Sequence, residues 1–382
     1  MPARVIMGEP FKNLIHEGLV RTAGQHLQRV WQDFDRRRFE RLATNGLDAL
    51  ELKARVLHVS VALEATLPPV FADAASVLER SLAPARVDVD LSALQPGPDG
   101  LAGWIVWPMT EFVARRGLAD PRRALLALHA MTQRNTAEYA IRPFVQDHAK
   151  LTFVTLHRWL DDPSPHVRRL VSEGSRPRLP WGMQLKALVA DPSPTLPLLE
   201  ALQHDVSDYV RRSVANHLND IAKDHPAIVA EWLEQHLPAA GAELRALLKH
   251  ASRTLVKRGD ARVLDAWGIG KKLQGTAMLR VRPERVAVGG EIELAVELHS
   301  TSKRAQKLVV DYAIHHRKAN GSTSPKVWKG WAIDLAALGE RSLGKRHSLR
   351  PVTTRRDYPG KHRIDLRING QVVASDAFEL LA

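Results

Sequence analysis

The chain has 382 residues, 45% hydrophobic and 25% charged, which is ordinary globular composition spread over more length than one core usually takes. It contains no cysteine, so disulfides, thiol nucleophiles and cysteine-ligated zinc or iron–sulfur sites are excluded together. The net charge is +13 and the sequence pI about 10.1, a balance that favours a polyanionic partner such as nucleic acid.

The opening residues, MPARVIMGEPFKNLI, carry no apolar run of signal-peptide length, and nothing later approaches the roughly 18 apolar residues of a membrane span. A cytoplasmic protein without membrane contact is expected. From there to about residue 270 apolar residues recur at three- and four-residue spacing, as in LKARVLHVSVALEATL from Leu52, PRRALLALHAM from Pro121 and AIVAEWLEQHL from Ala227. Turn segments punctuate them: LQPGPDG at Leu94, DDPSP at Asp161, ADPSP at Ala190 and KDHP at Lys223. The Asp-Pro-Ser turns are expected to cap the helices that follow.

Three segments resemble one another, DDPSPHVRRLVSEGSR, HDVSDYVRRSVANHLNDIAKD and, more loosely, AGAELRALLKHASRTLVKRGD. Their anchors Val167, Val210 and Leu244 lie 43 and 34 residues apart, typical lengths for a HEAT-like helix pair. A pair cannot bury its apolar face alone, so neighbouring pairs must stack. The first 270 residues are therefore expected to form a HEAT-like helical-repeat solenoid, and the chain to be mainly α.

Near residue 274 the period changes to two. MLRVRPERVAVGGEIELAVELHS alternates around a Gly-Gly turn. KLVVDYAIHHRK, the turn ANGSTSP and KVWKGWAIDL follow, then KHRIDLRI, the turn Asn369-Gly370 and QVVASDAFEL. Residues 274–382 are expected to form a small all-β, immunoglobulin-like sandwich. This part holds 21 Lys and Arg against 11 Asp and Glu from Lys271 onward, so it carries +10 of the total +13. Its Arg304, Lys307, Lys345, Arg346, Arg355 and Arg356 are candidates for an electrostatic clamp on a duplex.

Phosphate-binding loops, dinucleotide fingerprints, the nucleophile elbow G-x-S-x-G and the zinc motif H-E-x-x-H are all missing. The 17 histidines show no ligand spacing, and His315-His316 reads as one outward and one inward strand position. No metal and no cofactor are expected. What remains is a set of acids: Glu138 in NTAEYAIRPF, Glu173 in SEGSRPRLPWG and Asp220 in NHLNDIAKD. Glu138 and Glu173 are 35 residues apart, one repeat length, and Glu173 aligns with Asn216, one turn before Asp220. Equivalent positions on stacked helices lie roughly 8–10 Å apart, so all four can line one groove. Plainer roles fit each acid as well: Glu138 pairing with Arg142 at i+4, Glu173 ending a helix, Asp220 standing in solvent.

The segment SRPRLPWG interrupts a helix with prolines and places Arg176, Arg178 and Trp181 in a loop. Arginines grip phosphates and an indole stacks on bases, although Trp181 can equally be a plug between repeats. Arg169 and Arg212 recur beside Arg168 and Arg211 in the VRR segments, some of which must be structural. Lys249, Arg253, Lys257 and Arg258 on a last long helix extend the candidate phosphate track.

NTAEYAIRPF, LVSEGSRPRLPWG and YVRRSVANHLNDIAKDHP, with LKHASRTLVKRGD behind them, resemble the AlkC branch of the AlkC/AlkD alkylpurine DNA glycosylases over most of residues 7–270. The β extension is similar to one found in part of that branch. The resemblance implies a solenoid that wraps double-stranded DNA containing alkylated bases. It implies hydrolysis of the N-glycosidic bond of cationic bases such as 3-methyladenine, 3-methylcytosine and 1-methyladenine, without deep extrusion of the base. It also gives Glu138, Glu173 and Asp220 as active-site acids and Trp181 as a lesion contact. A monomer is expected. The competing readings are a non-catalytic repeat scaffold that binds DNA or protein and an RNA-associated factor; acids inside a groove and the low aromatic content of 5% argue against them respectively.

Overall fold

The computed structural model describes residues 11–87, 89–269, 271–350 and 358–381. Sixteen α-helices precede eight strands among them. The helices are α1 (Glu17–Val30), α2 (Arg36–Thr44), α3 (Leu52–Glu64), α4 (Phe71–Arg80), α5 (Val106–Arg116), α6 (Pro121–Thr132), α7 (Arg142–Asp147) and α8 (Ala149–Arg158). Then follow α9 (Pro165–Gly174), α10 (Lys186–Ala190), α11 (Leu196–Leu202), α12 (Asp208–Asp224), α13 (Pro226–His236), α14 (Ala242–Ala251), α15 (Arg253–Arg258) and α16 (Ala261–Ala266). The expected long last helix is thus two, because the chain turns at Ser252 (φ −88, ψ 0). No helix among the described residues is long and apolar enough to cross a membrane.

The chain divides into two compact units, Met1–Asp224 and His225–Ala382. In the first, each helix packs on near neighbours in sequence: α1 on α2, α3 on α5, α4 on α6, and α9 on α12. Buried positions repeat at helical spacing, for example Val167, Leu170 and Val171 on α9 and Val210, Val214, Leu218 and Ile221 on α12.

The repeat turns work differently from the capping expected of them. Asp162, Asp191 and Asp205 accept from the amide two residues on, Ser164 (2.8 Å), Ser193 (3.0 Å) and Ser207 (2.8 Å), so each aspartate folds its own turn. The first arginine of each VRR segment then staples that turn. Arg168 Nη1 donates to the Asp162 carbonyl at 2.7 Å, and Arg211 Nη1 to the Asp205 carbonyl at 2.6 Å. The second arginine is left for other work.

The β strands are β1 (Gly275–Arg282), β2 (Arg285–Ala287), β3 (Glu291–Ser300), β4 (Gln306–Arg317), β5 (Thr323–Leu335), β6 (Glu340–Ser348), β7 (Gly360–Ile368) and β8 (Gln371–Leu381). They form a three-stranded sheet β1-β3-β6 and a five-stranded sheet β2-β8-β7-β4-β5, antiparallel except for the β2–β8 pair. Strict alternation drives the sandwich: on β3, Ile292, Leu294, Val296 and Leu298 are buried while their neighbours are exposed. Sequence patterning missed β6 because the inward positions of ERSLGKRHS are Leu343, Lys345 and His347, only one of them an apolar residue. His347 earns its place by a 2.9 Å contact between its Nδ1 and the Tyr312 hydroxyl. Helices α13–α16 group with these strands. Gly259 and Gly370, both at positive φ, bring the α15–α16 turn and the β7–β8 turn so close that a Cβ on either would overlap the other's Cα. Asn369 Nδ2 adds a 2.7 Å bond to the Lys271 carbonyl.

Candidate active site

Three segments of the first unit converge. Glu138 lies in the turn between α6 and α7, not on a helix position equivalent to Glu173. Glu173 is the penultimate residue of α9, and Asp220 sits on α12, which packs along α9. All three are buried, with relative exposures of 8%, 5% and 1%. A carboxylate buried to that degree must be paired, so Asp220 is not the solvated helix acid that its sequence also allowed.

The pairing is a relay of alternating charge. Arg169 Nη1 donates to Glu138 Oε2 at 2.9 Å while its Nη2 lies 3.6 Å from Glu173 Oε1. Arg176 Nη1 donates to the same Glu173 oxygen at 2.5 Å, and its Nε donates to Asp220 Oδ2 at 2.8 Å. Lys223 Nζ closes the row on Asp220 Oδ1 at 2.7 Å. Hydroxyls fill the remaining directions: Ser213 Oγ donates to Glu173 Oε2 at 2.5 Å and Thr136 Oγ1 to Glu138 Oε2 at 2.9 Å. Burial works against the Glu173 charge. The guanidinium groups of Arg169 and Arg176 and the bonds from Ser213 and Arg176 outweigh it and hold the carboxyl below its usual range. Glu173 is therefore an anion at neutral pH in a dry setting. Beside it, burial pushes His217 down to about 3, with Arg176 adding to the effect, so this ring is neutral and ties α12 to the Ser172 carbonyl at 2.9 Å.

The interrupting loop is built on Arg142, which is fully buried. It does not pair with Glu138 as i+4 spacing allowed. Its Nη1 donates to the Gly174 carbonyl at 3.0 Å and its Nε to the Met183 carbonyl at 2.7 Å, so one side chain pins both ends of the loop. Burial, then the charge of Arg176, pushes Arg142 down to about 10, still a cation at pH 7. Between those pins, the Gly182 amide donates to the Leu179 carbonyl at 3.1 Å, closing a β-turn with Pro180 and Trp181 at its centre. Trp181 has φ 65, in the left-handed region. Proline at the second position and positive φ at the third are the marks of a type II turn, which normally places glycine or asparagine there. A bulky residue in that conformation costs about 1–2 kcal/mol. It gains no burial in return, because Trp181 is 64% exposed, so it is not a plug between repeats. Strain kept on an exposed aromatic is a mark of a functional position.

Tyr139 and Tyr209 line the same region. Burial and then the Glu138 charge push Tyr139 up to about 12, and its ring stacks on Trp107 at 5.2 Å and 22°. Arg169 lies over the Tyr209 ring at 4.8 Å. A cavity of about 890 Å³ opens elsewhere, between α6 and α8, lined by Leu125, Leu126, Leu151, Val154 and Trp159, and none of the three acids borders it.

A family model described as "DNA alkylation repair enzyme" matches residues 131–255, which include every acid of the relay. A second, "Uncharacterised protein YhaZ, C-terminal Ig-like domain", matches residues 275–382. YhaZ of Bacillus subtilis (strain 168) is 36% identical over 372 residues, 97% of this chain and 99% of that protein. The alkylpurine DNA glycosylase AlkC of Pseudomonas fluorescens, solved bound to DNA containing an abasic site analog, is 35% identical and superposes with a TM-score of 0.87 over 98% of this chain and 100% of its own. The chain belongs to the AlkC-type DNA alkylation repair enzymes.

In this AlkC-type chain several expected DNA contacts have other partners. Arg169 and Arg176, read from sequence as phosphate ligands, are held by the buried carboxylates, since a buried acid recruits the nearest guanidinium. Arg178 is half-buried and paired with Asp224 at 2.6 and 2.8 Å. Arg212 is exposed and Asn216 half-buried on α12; the side chain that α12 offers to Glu173 is Ser213, one turn before the aligned Asn216. Arg253 donates to the His250 carbonyl at 2.5 Å, and Lys257 is exposed; both lie in the second unit. On the sandwich, Arg304, Lys307 and Arg346 are exposed, Lys345 donates to the Lys329 carbonyl at 2.6 Å, and Arg355 and Arg356 lie outside the described residues. Sequence reasoning missed Ser213, Lys223, Thr136 and Arg142. Lys223 had a signal, three residues beyond Asp220 on one helix face. Thr136 is local too, two residues before Glu138 in the same turn, whereas Ser213 and Arg142 act across elements and had no signal.

Proposed function

We propose that this chain is a monofunctional DNA glycosylase that hydrolyses the N-glycosidic bond of cationic alkylated bases in duplex DNA: 3-methyladenine, with 3-methylcytosine and 1-methyladenine. It acts as a monomer on a HEAT-like helical repeat. The observation that carries this reading is Glu173, a carboxylate held ionised among buried groups within the residues that match the DNA alkylation repair model.

A base alkylated to a cation departs as a neutral molecule, so the reaction needs no general acid. The strain on the barrier lies in the sugar, which develops oxocarbenium character as the bond breaks. An anion beside that sugar stabilises the developing charge most when it is already ionised, oriented and shielded from water. The relay supplies that condition. Arg176 orients Glu173 and Asp220 together, Arg169 orients Glu138 and Glu173, and Ser213 fixes the second Glu173 oxygen. A carboxylate of the same cluster directs water to the cation once it forms. Trp181, exposed on its turn, meets the damaged nucleotide at the duplex surface, and the base need not enter a deep pocket. Normal bases survive because a neutral purine or pyrimidine is a poor leaving group.

The test is release of free bases from methylated genomic DNA, measured by mass spectrometry. Release of 3-methyladenine is expected, falling by on the order of 10²–10³ in Glu173→Gln. Binding without release would replace the enzyme with a scaffold. Unchanged release after Glu138→Gln, Glu173→Gln and Asp220→Asn together would remove the carboxylate mechanism.

A further inference from the structure

Lys53 stands in the first turn of α3, 128 residues before the loop in sequence, and its ammonium donates to the Trp181 carbonyl. The same nitrogen lies 6.0 Å from the centre of the Tyr139 ring, which stacks on Trp107 of α5. The peptide that follows Trp181 is thereby held at both polar ends: its N–H, on Gly182, donates to Leu179, and its C=O accepts from Lys53. Holding that plane fixes ψ of Trp181, and one residue further on Arg142 holds the Met183 carbonyl. Arg142 acts from beneath and is buried, while Lys53 acts from the exposed side.

We infer that Lys53 is a positioning residue for excision: it keeps Trp181 in its left-handed turn conformation and so aims the indole at the damaged nucleotide. The inference rests on the reading of Trp181 as the lesion contact. Left alone, a tryptophan at the third position of this turn relaxes toward negative φ, which swings its side chain away from its present direction. An exposed ammonium on a backbone oxygen adds little to global stability, so its value lies in that direction. A lysine used instead as a phosphate ligand would act on the duplex itself and independently of Trp181.

The two roles separate in a double-mutant cycle on the full chain with Lys53→Met, Trp181→Ala and the pair. Lys53→Met keeps the aliphatic stem and removes the donor. Single-turnover release of 3-methyladenine from a methylated duplex should fall about tenfold at saturating protein, while affinity for the unmodified duplex changes less than about twofold. In the Trp181→Ala background Lys53→Met should change nothing further, and Lys53→Arg should restore most of the rate. Equal loss in both backgrounds, or a weakened and less salt-dependent affinity for unmodified duplex, would overturn the positioning role and make Lys53 a phosphate contact. A Trp181→Ala protein that excises normally would instead overturn the lesion-contact reading, and the inference with it.

Discussion

Arg176 is the side chain on which the site's electrostatics turn, and Arg176→Met tests that directly. The residue is buried and bridges Glu173 and Asp220 at 2.5 and 2.8 Å. Methionine keeps the volume of the stem and removes the charge. Breaking a buried ion pair from one side costs about 3–5 kcal/mol, because the partner is left uncompensated. Here Arg169 remains 3.6 Å from Glu173 and Lys223 remains 2.7 Å from Asp220, so neither acid loses its last cation. The loss should therefore lie near the lower end, about 3 kcal/mol. At roughly 2–4 °C per kcal/mol for a unit of this size, the thermal midpoint should drop by about 6–12 °C at pH 7.

The pH dependence carries a sign. In the parent, Glu173 is held below its ordinary 4.5, so its contribution is complete above that value and lost as pH falls through the lower folded pKa. Removing Arg176 weakens that hold. The deficit of the variant should be full at neutral pH and shrink as pH falls from 4.5 through the parent's lower folded pKa, below which the carboxyl is protonated in both proteins. Thermal unfolding across the acid to neutral range reads it. The triple variant Arg176→Met, Glu173→Gln, Asp220→Asn should recover most of the lost stability, since no buried charge is then stranded. A deficit under about 1 kcal/mol, or one that does not vary with pH, would refute the claim that Arg176 neutralises these acids.

Trp181→Gly should leave the thermal midpoint within about 3 °C, because relief of the left-handed strain offsets the entropy lost with a glycine, yet excision should fall sharply. Arg178→Ala removes a surface ion pair and should leave the midpoint unchanged; if Arg178 exchanges Asp224 for a phosphate on binding, the slope of log affinity against log salt should fall by about 1. Gly370→Ala places a Cβ 2.4 Å from the Gly259 Cα at a φ of 79, so stability should drop by more than about 1 kcal/mol, and amide exchange should quicken at α15 and α16.

Much of this protein is written locally. Helical periodicity up to α12, the change to period two at Gly275, and the Asp-x-Ser turns all depend on contacts within a few residues, so one sequence displays them. So does the oddity of SRPRLPWG, since prolines cannot continue a helix. Tertiary structure decided what those residues touch. VRR looks alike at Arg168-Arg169 and Arg211-Arg212, yet Arg168 and Arg211 staple turns, Arg169 serves two acids and Arg212 faces solvent. Helix period puts both arginines of each pair near one end of a helix; only the neighbouring element determines which meets a carboxylate. Likewise Glu138 reached Glu173 through Arg169 from a turn, a geometry that repeat spacing alone did not contain. Glu138 and Glu173 were legible as acids 35 residues apart, and Asp220 as one turn beyond the position aligned with Glu173, but the charge state of Glu173 was not. It follows from burial, which works against the charge, and from Arg169 and Arg176, which lie four and three residues away but are also held by Glu138 and Asp220, 31 and 44 residues from them.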